Sequence, residues 1–345
     1  GMITEVMAAD PPSARLADAA EAAGTNGVAI GSSARSKSNQ SVAIGYFSVA
    51  QAPGANPENP TTAVGAGANA NGAGTVALGL SANATGANAV ALGGGANGGA
   101  NKTEATAVNA TAVGFNAKAS KSGAAAIGAG ANASGSDSIS LGTDTVANSE
   151  KAIAIGAGSK GTDIGATALG RSSAATGASA TALGSLASAT GTTATAVGMQ
   201  ASATGNESVA IGQTASATSG RALAVGTNAK ATGASSVAVG SGAGNSGTQG
   251  FAGSLNSTAG VVNTNRTINF ATTADGDNAV ALGVYANSKN SGVAVGQKAL
   301  AATGGVAIGK GVLEDTGNNL AGGVVIGQDS ATLGPYSLAM GFNAF

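Results

Sequence analysis

The chain has 345 residues, of which 58 are Gly, 3% are aromatic and 9% are charged, with a formal net charge of −1 and no His, Cys or Trp. The charge balance removes any electrostatic case for nucleic acid or an anionic membrane, and the missing cysteine removes disulfide-stapled and zinc-bound folds. A wall built mainly from Ala, Val and Ile must be thin, gaining burial by close backbone approach or by pairing with other chains.

Residues 1–24 read as a leader. Within it, Ser13 to Gly24 is predicted as a short helix, with Ser13 as N-cap and Gly24 as C-cap. From residue 25 a run of the form hydrophobic–small–hydrophobic–Gly recurs. Its glycines are Gly31, Gly45, Gly65, Gly79, Gly93 and Gly114, then Gly128, Gly142, Gly156, Gly170, Gly184, Gly198, Gly212, Gly226 and Gly240, and finally Gly283, Gly296, Gly309, Gly327 and Gly341. Between Gly114 and Gly240 the interval is 14 residues each time. A fixed period means one supersecondary unit stacked on copies of itself. Repeats fill 25–240, with small insertions near 46–60 and 94–108. An insert at 241–279 reads as a β-hairpin, and repeats resume over 280–345.

A second glycine often follows seven residues after the first, as at Gly205 after Gly198. Two glycines half a period apart mark two tight turns, where positive φ suits glycine alone. The unit is therefore strand, turn, strand, turn, each strand pairing in parallel with its copy one repeat on. At about 4.8 Å per rung, twenty rungs make a rod on the order of 100 Å long.

Side-chain alternation puts the residues one and three before each glycine on one face. Val42, Ile44, Ile153, Ile155, Val209 and Ile211 are assigned to the core on this basis, packed against small residues of the other strand. The residue between them is almost always alanine, and Ala43, Ala154, Ala210 and Ala238 are then predicted to face outward. An exposed position has no reason to stay this small, so these alanines are read as a close subunit interface.

Chemistry-bearing motifs are weak. Without His or Cys, serine nucleophiles lack their usual base and no thiolate exists, so no catalytic residue, cofactor site or metal site is assigned. Gly93-Gly94-Gly95-Ala96-Asn97-Gly98 fits a G-x-G-x-x-G string without a crossover helix, and Asp275-Gly276-Asp277-Asn278 reads as a polar turn. Thr176, Thr190, Thr204, Thr218 and Thr232 stack at one outward position. Such a ladder would suit ice binding only with a second column beside it, and one column is expected.

Ser41-Val42-Ala43-Ile44-Gly45, Ala89-Val90-Ala91-Leu92-Gly93, Ser208-Val209-Ala210-Ile211-Gly212 and Ser236-Val237-Ala238-Val239-Gly240, with Ala-x-Ala-x-Gly between copies, resemble the YadA-like head repeats of trimeric autotransporter adhesins. The resemblance covers nearly all of 25–345. It implies a left-handed parallel β-roll, an elongated homotrimer, and a non-enzymatic head displayed outside the bacterial outer membrane. It also implies attachment to host extracellular matrix or cell-surface proteins, and autoaggregation. Neck, stalk and membrane anchor are missing, so the chain reads as a head fragment. Inserts of such heads are candidate binding elements, and Phe251, Arg266 and Phe270 are the ligand-contact candidates here. The alternatives are a spacer rod projecting another binding domain, or an ice-binding solenoid.

Overall fold

The computed structural model describes residues 14–53, 59–95, 101–241, 272–314, 322–332 and 336–345. The chain divides into two compact units, Gly1–Ser179 and Ala180–Phe345. Each is an all-β parallel solenoid, with no helix among the described residues. A coil consists of a three-residue strand, a turn, a two-residue strand and a second turn. In the first unit the three-residue strands run from Ala14–Leu16 to Thr167–Leu169, and in the second from Thr181–Leu183 to Leu338–Met340. Each pairs in parallel with its copy in the next coil, Val28 opposite Val42 and Val209 opposite Leu223. The two-residue strands form their own ladder, with Asn132 opposite Val146 and Ser202 opposite Ser216.

The leader does not form the expected helix. Ala14–Leu16 and Glu21–Ala22 are strands that pair with Val28–Ile30 and Arg35–Ser36. Ala14-Arg15-Leu16 fits the hydrophobic–x–hydrophobic register of the strand beside it, and that pairing overrides an alanine-rich helix propensity. Ser13, the expected N-cap, lies outside the described residues.

The interior inverts the expected core. Ala43, Ala154, Ala210 and Ala238 have no exposed surface and lie inside the coil of their own chain. Around them sit the residues three, five and ten positions past the motif glycine, such as Ala201, Ala203 and Ser208, all fully buried. Val42, Ile44, Ile153, Ile155 and Val209 are half-buried on the outer surface, and Ile211 is 40% exposed. Alternation fixes which residues share a face, but the width of the coil decides which face is inside. Two short strands closed by tight turns leave room for methyl-sized groups only. The largest wholly buried side chains are Val312 and Val325.

Most polar residues of this interior have their hydroxyls used, although Ser159 Oγ and Thr332 Oγ1 are buried without a partner among the described residues. Ser208 Oγ donates to the Gly205 carbonyl at 2.6 Å, Ser138 to Gly135 at 2.7 Å and Ser236 to Gly233 at 2.7 Å. A small side chain that satisfies itself three residues back can replace alanine without an orphaned donor.

The two glycines of each repeat serve different needs. Gly128, Gly142, Gly156, Gly170, Gly184, Gly198, Gly212, Gly226 and Gly240 all have φ between +113° and +148°. Within each unit they also meet their copies closely: a Cβ on Gly212 would lie 2.6 Å from the carbonyl carbon and oxygen of Gly226. Gly205 has no positive φ; a Cβ there would run into the Ser219 carbonyl, so its reason is close stacking and not torsion. The left-handed residues of both turns are mostly not glycine. They are Thr214 (φ +56°) and Glu207 (φ +58°), with Asn228, Asp137 and Asp144 at equivalent places. One turn is also stitched by side chains, since Asn206 Oδ1 accepts the Thr192 N–H at 3.1 Å and Asn39 Oδ1 the Thr25 N–H at 2.9 Å.

Insertions leave by both turns and not from one face. Segments 96–100 and 242–271 interrupt the turn after the motif glycine, while 54–58 and 315–321 interrupt the opposite turn. The solenoid resumes at Thr272, ahead of the boundary at 280 set by the motif, and Thr273–Ala274 pairs with Lys230–Ala231. Likewise Glu104–Ala105 already pairs with Asn83–Ala84. Both re-entry points carry a buried threonine in the same role: Thr103 Oγ1 donates to the Gly114 carbonyl at 2.6 Å and Thr272 Oγ1 to the Gly283 carbonyl at 2.7 Å.

Two substitutions test this packing by thermal or denaturant unfolding. Gly212→Ala should cost about 2–4 kcal/mol, from torsional strain and a backbone clash together. Ala210→Leu should cost more than the ~1–3 kcal/mol typical of overpacking, because no neighbour can yield. Wild-type stability in either variant contradicts the narrow interior.

Candidate interaction surface

With the interior closed, each coil presents two faces and two turn edges. The three-residue strands present the residues one and three before the glycine as two parallel outward columns. In the first unit one column runs Leu78, Leu92, Val113, Ile127, Leu141, Ile155 and Leu169, in register through successive strand pairs. Leu78 is 37% exposed, Ile127 40% and Leu141 41%. In the second unit Val197, Ile211 and Val225 continue the same pattern. Within each unit, such a stripe of half-exposed branched side chains on a solvated β-face is a candidate interaction surface. Sequence reasoning missed it by assigning these columns to the core. The opposite strand could not correct this, because Lys118, Asn132 and Lys160 face outward under either reading.

The face of the two-residue strands is polar. Asn69 Nδ2 donates to Asn83 Oδ1 at 2.8 Å in the first unit. In the second unit Thr190, Thr204 and Thr218 point outward, with Ser188, Ser202 and Ser216 beside them in a second hydroxyl column. Only one column was expected. The array begins at Ser188 and ends at Lys230, and Thr204 Oγ1 is turned back to the Thr218 carbonyl at 3.3 Å.

Asp275 and Asp277, the acidic turn after the long insertion, hold the coils together. Lys289 Nζ bonds Asp275 Oδ2 at 2.8 Å, and Thr232 Oγ1 donates to Asp275 Oδ1 at 2.9 Å. Asp277 Oδ1 accepts the Ala234 N–H at 2.9 Å. The side chains of Thr232, Asp275 and Lys289 thus link three successive coils around the insertion point. The Lys289 bond, helped by that of Thr232, holds the Asp275 carboxyl below its ordinary range. Phe251, Arg266 and Phe270, the ligand-contact candidates, lie outside the described residues, as does the expected hairpin.

The repeat pattern matches the model of the YadA head domain repeat at residues 22–48, 60–82, 70–96, 105–131, 133–159, 164–187, 189–215, 217–243, 270–286 and 321–344. The chain belongs to the YadA head family. No curated protein matches it. YadA head repeats are a non-enzymatic adhesin family, and membership makes this chain an adhesin-type surface domain. In YadA-head terms, the Ser-Val-Ala-Ile-Gly motif directs its alanine inward and its two branched residues outward.

Asp275 gives a pH test. Its folded-state pKa is depressed, so the link stabilises above the ordinary carboxylate range and is lost as pH falls through the folded value. The exposed setting keeps this contribution small. NMR titration should place Asp275 below a normal aspartate, and Lys289→Met should return it upward. An unchanged titration in the variant would show that the lysine does not hold it.

Proposed function

We propose that this chain is the head of a trimeric adhesin on the bacterial surface, three copies packing through the outward Val/Ile/Leu columns. The observation that carries this reading is an apolar face left uncovered beside an interior that is already full. A single coil buries little more than methyl groups, each worth about 0.8 kcal/mol per CH₂. Further apolar burial has to come from another copy, and closed rotational symmetry provides it on every coil. The number three and the left-handed coil come from the family.

The head is outward-facing and exported across the outer membrane, and it binds extended host matrix or cell-surface proteins, with autoaggregation as a further outcome. Weak contacts repeated on three chains add through avidity. Segment 242–271, with Phe251, Arg266 and Phe270, supplies locally specialised contacts at a base braced by the Thr232–Asp275–Lys289 linkage.

Light scattering on the purified chain should give three times the chain mass. Leu141→Asp with Ile211→Asp should give a monomer whose far-ultraviolet circular dichroism is still β. A wild-type monomer would overturn the assembly. Cells displaying the head should bind immobilised matrix protein, and deletion of 242–271 should weaken that binding several-fold without changing the oligomer. Equal loss of binding on deleting 96–100 alone would deny the long insert a special part.

A further inference from the structure

The turn that follows the motif glycine is small or polar in most coils of the first unit, but after Gly45 it carries Tyr46 and Phe47, 58% and 50% exposed, and after Gly114 it carries Phe115, 50% exposed. The corresponding residues are Gly94-Gly95 on one side and Ala129-Gly130 on the other, and Gly130 donates its N–H to the Phe115 carbonyl at 2.9 Å. The turn that leads into the same strand, Thr111–Val113, carries Val108, 48% exposed, flanked by Ala87 and Ser122 at the equivalent places. Gly123 donates to the Val108 carbonyl at 3.0 Å, again offering no side chain. Two isolated apolar knobs therefore stand at the two ends of one strand, Thr111–Val113. Both flank the outward column at Val113, so they continue the apolar face sideways in both directions.

Their shared level matters. When parallel copies surround a common axis with the Val113 column turned inward, the contact is heterologous. The edge after the glycine in one copy then meets the edge before the strand in the next. Residues flanking one short strand lie within about half a 4.8 Å rung of each other along the axis, which brings Phe115 within reach of Val108. A twofold arrangement would instead bring like edges together. Ile164, 58% exposed, and the Tyr46–Phe47 pair stand without a large apolar residue at the other end of their strands, whereas Thr111–Val113 carries one at each end.

We infer that Phe115 of one copy packs against Val108 of the next copy, forming an apolar lock that closes the seam between chains and sets their axial register. The partner is a second copy of this chain. The lock rests on the proposed assembly through the apolar face and adds to it a specific edge-to-edge contact.

The chain contains no cysteine, so disulfide trapping has no background. The double variant Phe115→Cys, Val108→Cys, oxidised as the assembled protein and run unreduced in denaturant, should appear mainly as covalent dimer and trimer. Each single variant should run as a monomer on that gel. Phe47→Cys combined with Val108→Cys, on different coils, should also run as a monomer. A double variant that is trimeric by light scattering but yields no covalent species overturns the lock and leaves the assembly standing. Self-linking of Phe115→Cys alone overturns it in favour of like edges meeting. A wild-type chain that is monomeric removes the lock and the assembly together.

Discussion

The narrow interior of the coil governs the rest of the molecule. Two short strands closed by tight turns leave a space lined by alanine, serine, threonine and glycine, and larger groups are pushed out. Coils then stack so closely that Gly212 meets Gly226 backbone to backbone. Such stacking satisfies the peptide groups through parallel ladders, as when Val209 donates to the Ala222 carbonyl and Gly212 to the Val197 carbonyl. It leaves little apolar burial per ordered residue, and ordering a residue's backbone costs on the order of 1–2 kcal/mol. The branched residues therefore lie outside, where a partner can cover them.

This division of labour also explains where variation is tolerated. Strand positions are fixed by the stack above and below, so extra chain can leave only at the turns. Each return must re-establish register in one step. Thr103 and Thr272 do so in the same manner, burying a β-branched side chain whose hydroxyl is taken by the carbonyl of the next coil's motif glycine. The coils on either side of segment 242–271 are further joined by Asp275, which links Thr232 to Lys289. A rigid base that accepts variable loops is how a repeat scaffold acquires local specificity.

Much of the architecture was legible in the sequence. The period of 14, the two strands per repeat, their parallel pairing and the special place of glycines such as Gly198 and Gly212 all follow from spacing. The polarity of the coil did not. Val209, Ala210 and Ile211 alternate equally well with either face inward, and the usual preference for large apolar residues inside chose the wrong one. The deciding factor is the width of the coil: with Ala117, Ala119 and Ala133 already inside from the other strand, the space left in those coils takes alanine and not valine or isoleucine. At the N-terminus the helix reading of 13–24 failed because local propensity carries no knowledge of a waiting strand edge at Val28–Ile30. The boundary near 280 was late because Thr272 to Ala274 re-enter without the Gly motif. Ligand contacts were not legible at all, since nothing in a repeat built for stacking distinguishes a partner's chemistry.

The most direct measurement of the central claim is thiol accessibility at two adjacent positions in this cysteine-free chain. Ala210→Cys and Ile211→Cys would each be treated with a thiol reagent as native protein, as dissociated folded chain and after unfolding. An alanine-lined interior predicts that position 210 stays unreactive until the coil unfolds, while position 211 reacts as soon as the folded chain is free of partners. Reaction at 210 in the dissociated folded chain, with 211 protected, would contradict it and restore the branched residues to the core.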